Sequence, residues 1–193
     1  MRIAAVLILA GVLWTVPALA PASAERDATV DETYDVWSPE GFNGFTPEGS
    51  VVNTDLRRTV VIHSPHTVVL EATYRRFRTG VSDEIRFTVY LRTSDRRRFA
   101  VHVFVDWDGR YTSASIWRGI NELPLECSGL RARSDFEANT LRVKIPRGCL
   151  RRPRWIRYQA LAESYVEDEN LWRDNALGPG PRLKTWSERI ASG

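Results

Sequence analysis

From Thr54 onward the chain alternates apolar and polar positions with a period of two, the spacing that sends successive side chains to opposite faces of a β-strand. Ile85, Phe87, Val89 and Leu91 alternate with Arg86, Thr88, Tyr90 and Arg92. After the polar turn Ser94-Asp95-Arg96-Arg97 the pattern resumes, with Phe99, Val101, Val103 and Val105 set against Ala100, His102, Phe104 and Asp106. Upstream, the β-branched run Thr59-Val60-Val61-Ile62 and the one-faced set Val68, Leu70, Ala72 and Tyr74 lie on either side of Ser64-Pro65, which reads as a hairpin turn. Downstream, Asp106-Trp107-Asp108-Gly109 turns the chain into a strand over residues 111–117, and a short strand follows over 123–127. Leu130, Ala132, Ser134 and Phe136 then face Leu141, Val143 and Ile145 across a turn at Glu137-Ala138-Asn139, and Pro146 ends that ribbon because it cannot donate to a ladder. Residues 155–165 read as a last long strand or as the entry to a helix. About nine short strands separated by turn signals predict an all-β fold, an antiparallel β-sandwich of the jelly-roll or immunoglobulin-like kind.

The ends of the chain break the pattern. Residues 1–24 read as a secretory signal: Arg2 is the positive start, Ile3 to Val16 the apolar stretch, and Ala22-Ser23-Ala24 a small-residue cleavage site. That stretch is short for a membrane span, and no later run reaches the length a span needs, so no membrane span is expected in the mature chain. Residues 25–50 mix acids, prolines and glycines with Tyr34, Trp37, Phe42 and Phe45, and read as an irregular acidic arm that packs through its aromatics. Residues 51–165 form the sandwich domain, and residues 166–193 a tail packed on it.

Export changes the reading of the two cysteines, Cys127 and Cys149. An even count in an exported chain favours pairing, against the alternative of two independent buried thiols. Here the bridge clamps the outer ends of the last hairpin, and closing a loop of this length stabilises a fold by roughly 3 kcal/mol.

The formal net charge of +3 hides a segregation. Residues 25–48 carry seven acids and one base, residues 49–162 carry 21 bases and 11 acids, and residues 163–193 carry four bases and six acids. A basic body with acidic ends either binds polyanions or folds its ends back onto itself. Arg75-Arg76-Phe77-Arg78, Arg96-Arg97-Arg98 and Arg151-Arg152-Pro153-Arg154 are the arginine turns such binding would use, and each equally describes a solvated turn.

At this point the order of elements resembles a family. A Val60-Val61-Ile62-His63 strand, a strand running into the Asp106–Gly109 turn, a Cys127-x-Gly129-Leu130 element and Ile145-Pro146-Arg147-Gly148-Cys149-Leu150 with Pro153 close behind are similar to a group of uncharacterised secreted actinobacterial β-rich proteins. The resemblance covers most of residues 52–160 and rests chiefly on the two cysteine elements. It implies a β-sandwich and an exported location, and it brings no activity with it. The chain departs from the family pattern at Arg110-Tyr111, where a further acid after the glycine is typical, and this weakens a metal role for that turn.

Chemistry is sparse. Asp106 and Asp108 are spaced like the start of a calcium loop but lack its remaining oxygens, and a plain DG hairpin turn is the favoured reading over a metal site. His63, His66 and His102 have no Cys or carboxylate at zinc spacing, no Gly-x-Ser-x-Gly element occurs, and no cofactor motif is legible. Nucleic acid is not an expected partner, because no RNP, zinc-finger or helix-turn-helix signature accompanies the charge. Tyr90, Phe104 and Trp107, supported by Arg86 and Arg92, form a candidate sugar-stacking platform, against the alternative that Tyr90 and Phe104 line a second covered face. The leading reading is a secreted non-catalytic β-sandwich protein, a binding or cell-envelope interaction module whose ligand the sequence does not identify, with a cell-wall or extracellular polymer as the candidate partner. Behind it stand a polyanion binder using the arginine turns, and a hydrolase with carboxylates scattered along the sequence.

Overall fold

The computed structural model describes residues 24–31, 34–40, 44–49, 51–82, 84–119, 124–166 and 170–193. The expected signal falls outside these, apart from Ala24, as do Phe42 and the side chain of Phe45. The described chain folds into two antiparallel sheets packed face to face, the sandwich that the alternation predicts.

The smaller sheet is built from β1 (Glu25–Val30), β4 (Leu56–His63), β5 (Thr67–Tyr74), β10 (Arg131–Asp135) and β11 (Thr140–Pro146), in the order β1-β4-β5-β11-β10. The larger sheet contains β2 (Val36–Glu40), β3 (Gly44–Gly49), β6 (Glu84–Thr93), β7 (Arg98–Asp106), β8 (Thr112–Arg118), β9 (Pro124–Leu125), β12 (Trp155–Val166) and β13 (Asn170–Asn175). Its order is β3-β2-β13-β12-β6-β7-β8-β9, and β14 (Ile190–Ala191) pairs with the start of β12. The alternation holds in space: Val68, Leu70 and Ala72 of β5 and Leu141, Val143 and Ile145 of β11 are fully buried against Phe87, Val89, Val101 and Val103 of the larger sheet. Each buried Val, Leu, Ile or Phe side chain contributes roughly 1.5–3 kcal/mol by leaving water.

The irregular arm expected over residues 25–50 is corrected by three strands, β1 to β3. β1 is an edge strand paired with β4 through its backbone, while Glu25, Arg26, Ala28 and Val30 face solvent, so its sequence carries no apolar period to read. The tail is likewise more than a cover, because β13 and β14 extend the larger sheet.

Cys127 and Cys149 are bonded, with Cα atoms 5.5 Å apart, at the outer end of the β10–β11 ribbon. The same corner is stapled by Arg147, whose guanidinium donates to the carbonyls of Pro65 and Pro153 and to Ser192 Oγ. Among the described residues no helix is long and apolar enough to cross a membrane.

Candidate functional site: a groove on the outer face of the large sheet

Strand register lays the outward side chains of the larger sheet into rows. Arg173 of β13, Glu163 of β12, Arg86 of β6 and Phe104 of β7 form one row. Leu161, Thr88, His102 and Ser115 form the next, followed by Gln159, Tyr90, Ala100 and Trp117. The chain after β13 then returns across these rows. Gln159 Nε2 donates to the Thr185 carbonyl at 3.0 Å, Asn175 Nδ2 donates to the Arg182 carbonyl at 3.3 Å, and Ser187 exchanges two hydrogen bonds with the Tyr158 backbone.

Between the sheet and this returning segment run two cavities. One, of about 230 Å³, is lined by Tyr90, Leu91, Arg98, Phe99, Gly119, Gln159, Leu183 and Trp186. The other, of about 430 Å³, is lined by Arg86, Thr88, Tyr90, His102, Leu161, Glu163, Arg173, Pro181, Arg182 and Leu183. Tyr90 and Leu183 belong to both, so the two cavities meet in one groove with an apolar, aromatic end and a cationic end.

The cationic end is held in place by its own contacts. Arg173 Nε donates to Glu163 Oε1 at 2.8 Å, and Arg86 Nη2 donates to Glu84 Oε1 at 2.7 Å. The Arg86 guanidinium lies over the rings of Phe104 and Tyr165, 4.9 and 5.1 Å from their centroids, and its buried Nε–H has no acceptor among the described residues. His102 Nδ1 is 3.2 Å from Thr88 Oγ1, and its ring meets Trp117 edge-on. Burial, reinforced by the positive charge of Arg86, pulls the His102 pKa below its ordinary 6.5, so the ring is neutral at pH 7. Desolvation and then the Glu163 charge push the Tyr90 hydroxyl up, keeping it a protonated donor.

The groove brings together some of the platform residues read from sequence and leaves others out. Tyr90 and Arg86 line it, and Phe104 sits beneath Arg86. Arg92 is outward and exposed, paired across the ladder with Arg98 and Arg157 beyond the aromatic end. Trp107 is 62% exposed in the turn after β7; Tyr90 pairs with Ala100, and at about 3.3 Å per residue that turn is roughly 20 Å further along the strand. Glu163, Arg173, Arg182, Leu183 and Trp186 were not legible as site residues. The only available signal was that Glu163 continues an outward-facing alternation on β12.

At the other candidate, Asp106 Oδ1 accepts from the Tyr111 amide at 2.8 Å, and Asp108 Oδ1 accepts from the Arg110 amide at 3.0 Å, while Arg110 pairs with Asp108. Those oxygens order the turn itself. His63 is buried with Nδ1 against the Ile190 carbonyl, and His66 is exposed. Among the described residues, the group of three potential metal ligands that does converge is Asp31, Asp35 and Asp174, far from any sequence motif. In comparison with protein-family models, curated proteins and solved structures, the chain matches none.

Proposed function

We propose that this protein is an exported, non-catalytic binding module whose large-sheet groove takes a segment of an acidic extracellular or cell-wall glycan. The carrying observation is that the two cavities join at Tyr90, placing an aromatic wall next to an arginine-lined one. Sugar rings present apolar faces that stack on Tyr90 and Trp186, while carboxylate or phosphate substituents pair with Arg86 and Arg182. Export is supported by the N-terminal signal pattern and by the disulfide, a bond that persists in oxidising compartments.

The acid among the described lining residues is Glu163, held by Arg173, and this supports binding over hydrolysis, which wants two carboxyl groups flanking one bond. The test is affinity electrophoresis against a panel of neutral and acidic polysaccharides, including wall polymers. Retardation by acidic polymers that weakens with salt supports the reading, and no retardation by any polymer at low salt contradicts it.

A second reading rests on the outer face of the smaller sheet. Arg131 pairs with Lys144 and Arg133 with Arg142, and all four side chains are exposed. A polyanion bound there loses its affinity when Arg133 and Arg142 are reversed to Glu and is indifferent to Tyr90→Ala, the opposite of the groove's behaviour.

A further inference from the structure

Four aspartates gather where the chain passes between the two sheets. Asp31 follows β1, and its amide donates to the Arg57 carbonyl at 3.0 Å; Asp35 leads into β2 on the other sheet; Asp55 precedes β4. Asp174 sits on β13 opposite Ala162, an inward position, so its carboxylate points between the sheets. One oxygen each from Asp31, Asp35 and Asp174 lie within 4.8 Å of one another. Asp174 and Asp55 are fully buried, and Asp31 nearly so.

Two buried polar atoms in this space bear on what it can hold. Asp174 Oδ2 accepts from the Leu56 amide at 2.6 Å, but its Oδ1, buried, has no hydrogen-bond partner among the described residues. Facing it from the smaller sheet, the Tyr74 hydroxyl is also buried and has no hydrogen-bond partner among the described residues. Tyr74 lies opposite Leu56 in the β4–β5 ladder, on the inward face with Leu70 and Ala72, and burial, followed by the Asp174 charge, raises the pKa of its hydroxyl. A polar atom buried without a partner costs free energy, and several carboxylates sharing one dry site cost more unless a proton or a cation neutralises them.

We infer that Asp31, Asp35 and Asp174 bind a divalent cation, calcium by preference, with Asp55 adding negative charge and Tyr74 facing the same space. An all-oxygen carboxylate set suits calcium, magnesium or manganese and not metals that prefer thiolate or imidazole. Calcium binds oxygens at about 2.3–2.6 Å, so opposite ligands stand about 5 Å apart, whereas magnesium at about 2.0–2.1 Å draws them to about 4 Å. Oxygens that all lie within 4.8 Å of one another can serve either ion, and a buried site favours calcium because magnesium gives up its waters reluctantly. The ion joins the crossover between β1 and β2, on different sheets, to β13, and so clasps the sandwich from within. Binding to the folded state alone raises stability with calcium concentration by mass action.

The test uses the purified full chain, stripped with a chelator and dialysed. Terbium serves as the probe, because emission sensitised by a nearby aromatic such as Tyr74 reports occupancy, with calcium and magnesium as competitors. The expected result is saturable emission displaced by calcium at a dissociation constant of about 10⁻³ M or tighter. Magnesium is expected to compete at least tenfold more weakly, and the melting temperature to rise with calcium. Asp174→Asn abolishes both effects. Should that variant fail to fold, Asp35→Asn, at a half-buried position, is expected to fold by circular dichroism and to weaken calcium at least tenfold. The inference is overturned if the stripped protein shows neither sensitised emission nor a calcium-dependent melting temperature. It is equally overturned if calcium binds Asp35→Asn as tightly as the unaltered chain, which would place the ion elsewhere.

Discussion

The Leu56 amide donates to Asp174 Oδ2 at 2.6 Å, a hydrogen bond running from the first residue of β4 in the smaller sheet to β13 in the larger. A buried carboxylate that ties two sheets together makes the fold sensitive to proton concentration. Desolvation, followed by the charges of Asp31, Asp35 and Asp55, pushes the Asp174 pKa from 3.8 up to about 9. The folded state thus retains a proton that the unfolded chain releases at its ordinary pKa. Without a cation, stability falls as pH rises from about 4 to about 9, by roughly 1 kcal/mol per pH unit for one proton. Urea denaturation in chelator across this range measures the slope. Asp174→Asn, which keeps an acceptor for the Leu56 amide, is expected to remove most of it, and an unchanged slope would assign it to other groups.

The bond between Cys127 and Cys149 encloses β10 and β11, whose free edge is β10. Replacing both cysteines with serine is expected to cost about 3 kcal/mol by the loss of loop closure in the unfolded chain, while circular dichroism stays that of a sheet protein. Thiol titration of the unreduced protein is expected to find neither sulfur free.

Gly109 closes the turn after β7 with φ of +71°, and a Cβ built there meets Phe136 Cε2 at 2.5 Å and Thr79 Cγ2 at 2.6 Å. Phe136 cannot retreat easily, because it stacks on Phe77 at 4.4 Å and Phe77 stacks on buried Tyr74 at 4.6 Å. Gly80 has the same φ with nothing within 4 Å. Gly109→Ala is therefore expected to cost about 3 kcal/mol, combining left-handed strain with overpacking, and Gly80→Ala about 1 kcal/mol from strain alone. Denaturation midpoints of the two variants check the difference, and equal losses would mean that the Phe136 stack yields.

The interior of the sandwich was legible because Ile85 to Leu91 and Phe99 to Val105 alternate without interruption, and one face of each must be covered. The cysteine ribbon was legible for the same reason, with Ala132 opposite Val143 and Ser134 opposite Leu141 as the alternation requires. β1 to β3 were not. The edge strands β1 and β3 are held by backbone hydrogen bonds that leave no side-chain period, and Pro39 and Pro47 read as breakers, although Pro47 stands on edge strand β3 and Pro39 on β2 beyond its one pairing with β13, at Trp37. β13 was hidden by its own chemistry, since Asp174 stands at an inward position where a hydrophobic residue is the rule. Arg86 and Tyr90 were visible as outward residues, but the groove depends on Arg182, Leu183 and Trp186 folding back from the C-terminal segment, and such long-range closure leaves no local trace. The aspartate cluster draws on segments more than a hundred residues apart, each of them unremarkable in its own neighbourhood.

Tyr90 is where the two halves of the groove meet, so its removal reports on the whole reading. The direct measurement is the dissociation constant for an acidic wall polysaccharide, taken for the unaltered protein and for Tyr90→Ala at low salt by affinity electrophoresis. The account predicts binding that Tyr90→Ala weakens by roughly tenfold, about 1.4 kcal/mol, with the melting temperature unchanged within a few degrees. Equal affinity of the two proteins, or no affinity in either, would contradict it.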